Sequence, residues 1–242
     1  MERRLTTILS ADVVGYGRLM GEDEAATLEA LKGHRRELID PKAEQYGGRT
    51  VKLMGDGALM EFASVVDAVT FAVEVQGAMG ARNADVPPER QILFRIGINI
   101  GDIIVEGDDI YGDGVNIAAR LEALAEPGGI SIARNVYNQI KGKLDLDLDH
   151  LGEKEVKNIS EPVSVYQVAM NDKAARQVTA VEASSAPARR SRPSLIAAGI
   201  ALLAVLGGLA WWQPWTPAAR VETAVVPTSD LPSLVSCCPS TI

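Results

Sequence analysis

Apolar residues recur at strand spacing and then at helix spacing along roughly the first 170 positions, and the changes of period outline the elements. Residues 5–14 read as an apolar strand, with Asp12 near its end. Gly15-Tyr16-Gly17 then turns the chain. From 23 to 46 the apolar positions Ala25, Leu28, Leu31, Leu38 and Ile39 sit at helical spacing, and Pro41 predicts a kink or a break. Gly47-Gly48 is a stop signal. Residues 51–54 and 58–62 read as two strands, and Gly55-Asp56-Gly57 between them tolerates the positive φ of a tight hairpin. Ser64, with Asp67 three residues on, has the pattern of a helix N-cap, and Val65, Val66, Val69, Ala72, Val73 and Val75 give that helix a broad apolar face. Pro87-Pro88 marks a loop.

Beyond it, the pattern predicts a strand over 91–98, a turn at 99–101 and a further strand over 102–105. A loop at 107–109 leads to a helix over 114–124, a strand over 129–133 and a short helix over 135–140. Residues 144–149 alternate strictly between Leu and Asp, as a half-exposed strand does, and 163–168 closes the domain. This order predicts an α+β fold: a ferredoxin-like βαββαβ core with an antiparallel sheet, helices on one face and extra C-terminal strands.

The character changes near residue 171. Ala, Ser, Pro, Thr and charges replace the periodic pattern, so 1–170 reads as one domain and 171–193 as a linker. Residues 195–212 then carry no charge, and a run of about 18 residues is near the lower end of what crosses a bilayer as a helix. The expectation is one transmembrane helix over 194–212 and a short extracytoplasmic tail over 213–242. Trp211, Trp212 and Trp215 suit the membrane interface, and Arg189, Arg190 and Arg192 place the large domain on the cytoplasmic side of an inner or plasma membrane.

Composition narrows the chemistry. With 242 residues and 47% hydrophobic content the chain can bury a sizeable core. A net charge of −8 argues against a nucleic-acid partner. The only cysteines, Cys237 and Cys238, lie at the extreme end, and the only histidines are His34 and His150, so zinc and His-triad chemistry lack ligands. Carboxylates remain. Asp12 and Asp56 end neighbouring strands in a sheet of this topology, where two oxygen donors suit Mg²⁺ or Mn²⁺; each alone also fits a solvated strand-end turn. Asn116 and Arg120 are four apart and share one helix face among apolar neighbours, as a polar site or a solvent-facing pair would. Arg95 interrupts an apolar strand, either to meet an anion or to reach water at an edge.

Three stretches then carry a resemblance. Ala11-Asp12-Val13-Val14-Gly15-Tyr16, Lys52-Leu53-Met54-Gly55-Asp56 and Asp109-Ile110-Tyr111-Gly112-Asp113-Gly114-Val115-Asn116-Ile117-Ala118-Ala119-Arg120 resemble, in order, the motifs of class III adenylate cyclases, over roughly residues 4–168. The resemblance implies two metal ions, Mg²⁺ or Mn²⁺, at Asp12, Asp56 and Val13, and a phosphate site at Gly15, Tyr16 and Gly17. It also implies triphosphate contacts from Arg95 and Lys157, a ribose contact from Asn116 and transition-state charge stabilisation by Arg120. Lys154 is a close competitor for the role of Lys157. Gly17 departs from the family, which often carries Ser or Thr there, and leaves backbone N–H groups as the donors.

Lys52 and Asp109 read the base by polarity: adenine offers an acceptor at N1 and a donor at N6, and guanine offers the reverse. The expected activity is conversion of ATP to 3′,5′-cyclic AMP and pyrophosphate in intracellular signalling, by metal-assisted attack of the 3′-hydroxyl on the α-phosphorus. A non-catalytic nucleotide-binding module of the same fold and a guanylate cyclase are the alternatives. Lys52 and Asp56 are four residues apart on one hairpin, yet base and phosphates lie at opposite ends of ATP. A homodimer with active sites at its interface is therefore expected. The resemblance implies that Asp12, Asp56 and Arg95 come from one chain, and Lys52, Asp109, Asn116, Arg120 and Lys157 from the other.

Overall fold

The computed structural model describes residues 2–155 and 162–171. The long first strand β1 (Glu2–Val13) leads into two helices, α1 (Tyr16–Glu22) and α2 (Glu24–His34). A π-helical turn, Arg35–Ile39, joins α2 to α3 (Asp40–Gln45). The hairpin β2 (Gly48–Met54) and β3 (Gly57–Phe62) follows, then α4 (Val65–Asn83) and a 13-residue strand β4 (Phe94–Glu106). The remaining elements are β5 (Asp109–Tyr111), α5 (Asp113–Leu124), β6 (Ile130–Ala133), α6 (Arg134–Ile140), β7 (Leu148–Lys154) and β8 (Val163–Val168). The sheet runs β2-β3-β1-β4-β6-β8-β7, with β5 paired to β4. Its first four strands have the order and antiparallel pairing of the expected ferredoxin-like core. Only β4 and β6 run parallel among the described strands.

Local chemistry explains several boundaries. Ser64 accepts a hydrogen bond from the Asp67 N–H at 3.2 Å and starts α4. Gln76 of α4 donates through Nε2 to the carbonyls of Phe94 and Gly129, both at 3.0 Å, and so ties the helix to the neighbouring starts of β4 and β6. The hairpin closes through a two-residue turn, Gly55-Asp56, with Gly55 at φ +71°.

Five expectations need correction. Tyr16–Glu22 is a helix rather than a plain turn: Gly15, at φ +66°, caps it, and its carbonyl accepts from the Arg18 and Leu19 N–H groups. Of the kink or break expected at Pro41, the structure shows an interruption but no break: the π-helical turn lies just before it. The Asp40 N–H bonds back five residues to the Arg35 carbonyl, and this widened turn accommodates the ring of a residue that has no N–H of its own. Residues 99–101 are not a turn. β4 pairs with β1 without interruption from Glu2↔Val105 to Val13↔Phe94, and the glycines within it serve packing. A Cβ on Gly97 would lie 2.2 Å from the Ala118 carbonyl oxygen and from the Glu122 nitrogen, and one on Gly101 would lie 2.6 Å from the Gly114 Cα. β7 begins only at Leu148; Leu144 and Leu146 pack on the core without forming a strand.

The fifth correction concerns the helices, which cover both faces of the sheet. Leu9 and Val13 of β1 join the main core with α4 residues such as Val69 and Val73. Ile8, on the other face, packs with Ile103 and with Ala118 of α5. Lys157, the linker, the predicted membrane helix and the tail lie outside the described residues. Among the described residues no helix is long and apolar enough to cross a membrane.

Candidate active site

The end of β1, the start of β4 and the tip of the β2–β3 hairpin meet on the face that α5 covers. Asp12 stands opposite Arg95 across the β1–β4 ladder, and Ala11 opposite Ala58 across β1–β3. This register carries the hairpin turn, and with it Asp56, to the end of β1. A Cβ on Gly57 would come within 3.1 Å of the Asp12 Oδ1, so glycine at 57 leaves room for that carboxylate. Burial, the Asp56 charge and a hydrogen bond with Asp56 push the Asp12 carboxyl above its usual range; the Val13 N–H and Arg95 pull the other way. Two crowded carboxylates favour either a shared proton or a cation between them. Their donor set is oxygen only, which fits Mg²⁺ or Mn²⁺ bound by one or two carboxylates and completed by substrate phosphates. Among the described residues no three His, Cys, Asp or Glu side chains group around a possible ion position. The Val13 side chain is buried in the core, so only its backbone is available to an ion.

Arg95 and a fourth charge, Glu122, complete this end. The Arg95 Nε is buried and has no hydrogen-bond partner among the described residues. Glu122, half-buried on the sheet side of α5, is pushed up to about 7 by burial and by the charges of Asp12 and Asp56, against the pull of Arg95. The sequence reading passed over Glu122. Its signal was a carboxylate falling in the stripe Gly114, Ala118, Leu121 and Ala125 that α5 turns toward the sheet.

Further along the hairpin, Lys52 of β2 meets Asp109 of β5, with Nζ 2.5 Å from Oδ2. The Tyr111 hydroxyl donates to the same oxygen at 3.1 Å, and the Ile110 N–H donates to Oδ1 at 2.9 Å. The hydrogen bond from Lys52 leads the interactions that hold the Asp109 carboxyl below its usual range, and the same bond raises Lys52. Both side chains reach solvent. The folding of β5 back onto β4, through Glu106↔Asp109, creates the pair. Tyr111 is a second neighbour that the sequence reading did not single out.

Asn116 and Arg120 lie on the exposed side of α5, and among the described residues neither makes a side-chain hydrogen bond or an ion pair. Gly15, Tyr16 and Gly17 form the cap and first turn of α1, where N–H groups have no acceptor within the helix. A Cβ on Gly17 would meet nothing within 4 Å, so the missing hydroxyl leaves open space. The structure thus brings Asp12 to Asp56 and Arg95, and Lys52 to Asp109. It leaves Asn116 and Arg120 facing outward, and it says nothing of Lys157.

Residues 2–170 match the family described as the adenylate and guanylate cyclase catalytic domain. The chain is 44% identical over 195 residues to "Putative adenylate cyclase 3" of Rhizobium meliloti, covering 81% of this chain and 33% of that protein. It is 30% identical over 136 residues to an adenylate cyclase of Streptomyces coelicolor, covering 54% of this chain and 33% of that protein. The chain therefore spans about a third of the length of these curated relatives. Among solved structures, the adenylate/guanylate cyclase/hydrolase of Silicibacter pomeroyi matches with a TM-score of 0.67 and 47% identity, over 69% of this chain and 98% of that one. The adenylyl cyclase CyaB of P. aeruginosa matches with a TM-score of 0.60 and 27% identity, over 70% and 96%.

Proposed function

The chain belongs to the adenylate and guanylate cyclase catalytic domain family, and on that footing we propose that it is an adenylate cyclase, forming 3′,5′-cyclic AMP and pyrophosphate from ATP. The observation that carries the choice of ATP is the Lys52–Asp109 pair, a donor held beside an acceptor. Lys52 donates to adenine N1 and Asp109 accepts from the N6 amino group, whereas guanine would set donor against donor and acceptor against acceptor. Where a second chain closes over this solvent-accessible pair and buries it, a mismatch of that kind costs roughly 10⁴-fold.

In the reaction the 3′-hydroxyl loses its proton to solvent, its oxygen forms a bond to the α-phosphorus, the bond from that phosphorus to the bridging oxygen breaks, and pyrophosphate leaves with that bond's electron pair. Asp12 and Asp56 would hold Mg²⁺ or Mn²⁺, which when bound offset the triphosphate charge and make the 3′-hydroxyl more acidic. Arg95, with its unpartnered Nε, engages the triphosphate. Asn116 orients the ribose, and the Arg120 guanidinium meets the charge that gathers on the phosphoryl group in flight. The outward orientation of Asn116 and Arg120 supports a homodimer in which these two, with Lys52, Asp109 and Lys157, complete the site begun by the other chain's Asp12, Asp56 and Arg95.

The test is direct: incubate the full chain with ATP or GTP and Mg²⁺ or Mn²⁺, and identify the product by chromatography. Cyclic AMP is expected. Cyclic GMP would reassign the base readers, and nucleotide binding without any product would make the domain a non-catalytic module. The uncharged run 195–212 is proposed to anchor the protein across a membrane once, with residues 1–170 on the cytoplasmic side. The protein should then stay with membranes through carbonate extraction, and release into the supernatant would remove the anchor.

A further inference from the structure

A cavity of about 170 Å³ lies on the opposite face of the sheet from α5, between the hairpin and the α2–α3 layer. Its inner wall is apolar and buried, with Leu31, Met60 and Phe71 among the residues that form it. The rim adds charged residues to apolar ones. Lys32 and Asp40 are charged, Arg35 beside them is half-buried, and Leu28 is 37% exposed. Another wall is the turn Gly55-Asp56-Gly57 itself. The π-helical turn Arg35–Ile39, an irregularity often found where helices bind something, contributes both of its end residues to the lining.

We propose that this cavity binds a small apolar carboxylate, and that the occupant acts on the Asp56 turn from behind. Size and charge select the ligand. A dry cavity of about 150 Å³ holds a benzene ring, so this one takes an apolar body of about six to eight carbons. At the rim, Arg35 reaches Asp40 only at 3.8 Å, and Lys32 has no ion pair among the described residues. On the α2–α3 wall two cations stand with one carboxylate, Asp40, which leaves one positive charge there to meet an anionic head; the other lining carboxylate, Asp56, belongs to the separate wall formed by the turn. A neutral molecule of the same length would fill the body of the cavity and leave that charge unmatched. Because Gly55 and Gly57 flank Asp56, a body pressed against the turn limits how far the carboxylate travels when an ion binds.

Octanoate and 1-octanol are the probes, titrated calorimetrically into the full chain. Octanoate is expected to bind saturably, one per chain. The Lys32→Gln/Arg35→Gln double variant should weaken octanoate at least tenfold and leave 1-octanol within twofold. Leu28→Trp, a change at an exposed position, should weaken both. Manganese binding, followed by electron paramagnetic resonance, should shift at least twofold when octanoate is present. No saturable binding of either probe would overturn the site. Equal octanoate affinity in the parent and the double variant would overturn the reading of the head group, and unchanged manganese affinity would overturn the coupling to Asp56. All of these are binding measurements, so absence of cyclase turnover would leave them interpretable.

Discussion

Glu122 shares half-buried surroundings with Asp12 and Asp56, so ionising it places a third negative charge beside one arginine. A carboxyl whose folded pKa lies near 7, against the ordinary 4.5, binds its proton more tightly in the folded state. Below about pH 4.5 the group is protonated in both states and contributes nothing to their difference. The destabilisation grows as pH rises from there to about 7 and is constant above it. Glu122→Gln mimics the protonated form. In metal-free protein it should raise stability at pH 8 by about 1 kcal/mol, after discounting for solvent screening of a half-exposed group, or a few degrees of melting temperature. Near pH 4 the gain should vanish. Thermal melts at the two pH values check this, and equal melting temperatures at both would show that Glu122 bears no such charge.

At the scale of elements, the approach of α5 to the sheet sets where Asn116, Arg120 and Glu122 stand. That approach depends on Gly97 and Gly101 of β4 facing Gly114 and the Ala118–Glu122 backbone of the helix. Gly97→Ala drives a methyl against two backbone atoms that have no flexible end to yield. It should lower stability by about 1–3 kcal/mol and push α5 off the sheet. Gly17→Ala is the matched control, since its Cβ meets nothing within 4 Å and α1 gains helix propensity. Denaturant midpoints of the two variants, measured beside the parent, compare them. Equal effects would mean that β4 and α5 are not in close contact.

For the whole molecule, the consequential feature is that Asp56 and Lys52 share one hairpin while Arg120 faces outward from α5. If two chains complete each site, Asp56→Ala and Arg120→Ala proteins are each inactive alone. A mixed dimer of the two then has one site with both lesions and one with neither. Random exchange makes roughly half of the dimers mixed, each with one working site of two, so about a quarter of the parent activity should return. The measurement is cyclic AMP formation after mixing, with subunit exchange followed independently. Exchange without recovery would place the whole site within a single chain.

Features that span a few residues were readable from the chain itself. The Gly55-Asp56 turn, the Ser64 cap and the order of β1, β2, β3 and α4 rest on backbone preferences and periodicity, which each short segment carries with it. Three ordered motifs, matched to a family, also pointed to Asp12 with Asp56 and to Lys52 with Asp109 before any contact was visible. What the chain left open was sidedness and close approach. Glycine serves turns and tight packing alike, so Gly101 read as part of a turn; only the unbroken pairing with β1 shows that β4 continues, and the backbone of α5 lying against Gly101 shows why a glycine stands there. Glu122 reads as an ordinary helix carboxylate until the β1–β4 register and the docking of α5 bring it among Asp12, Asp56 and Arg95. Electrostatic environment depends on residues far apart in sequence, and ladder register and helix docking decide which of them meet.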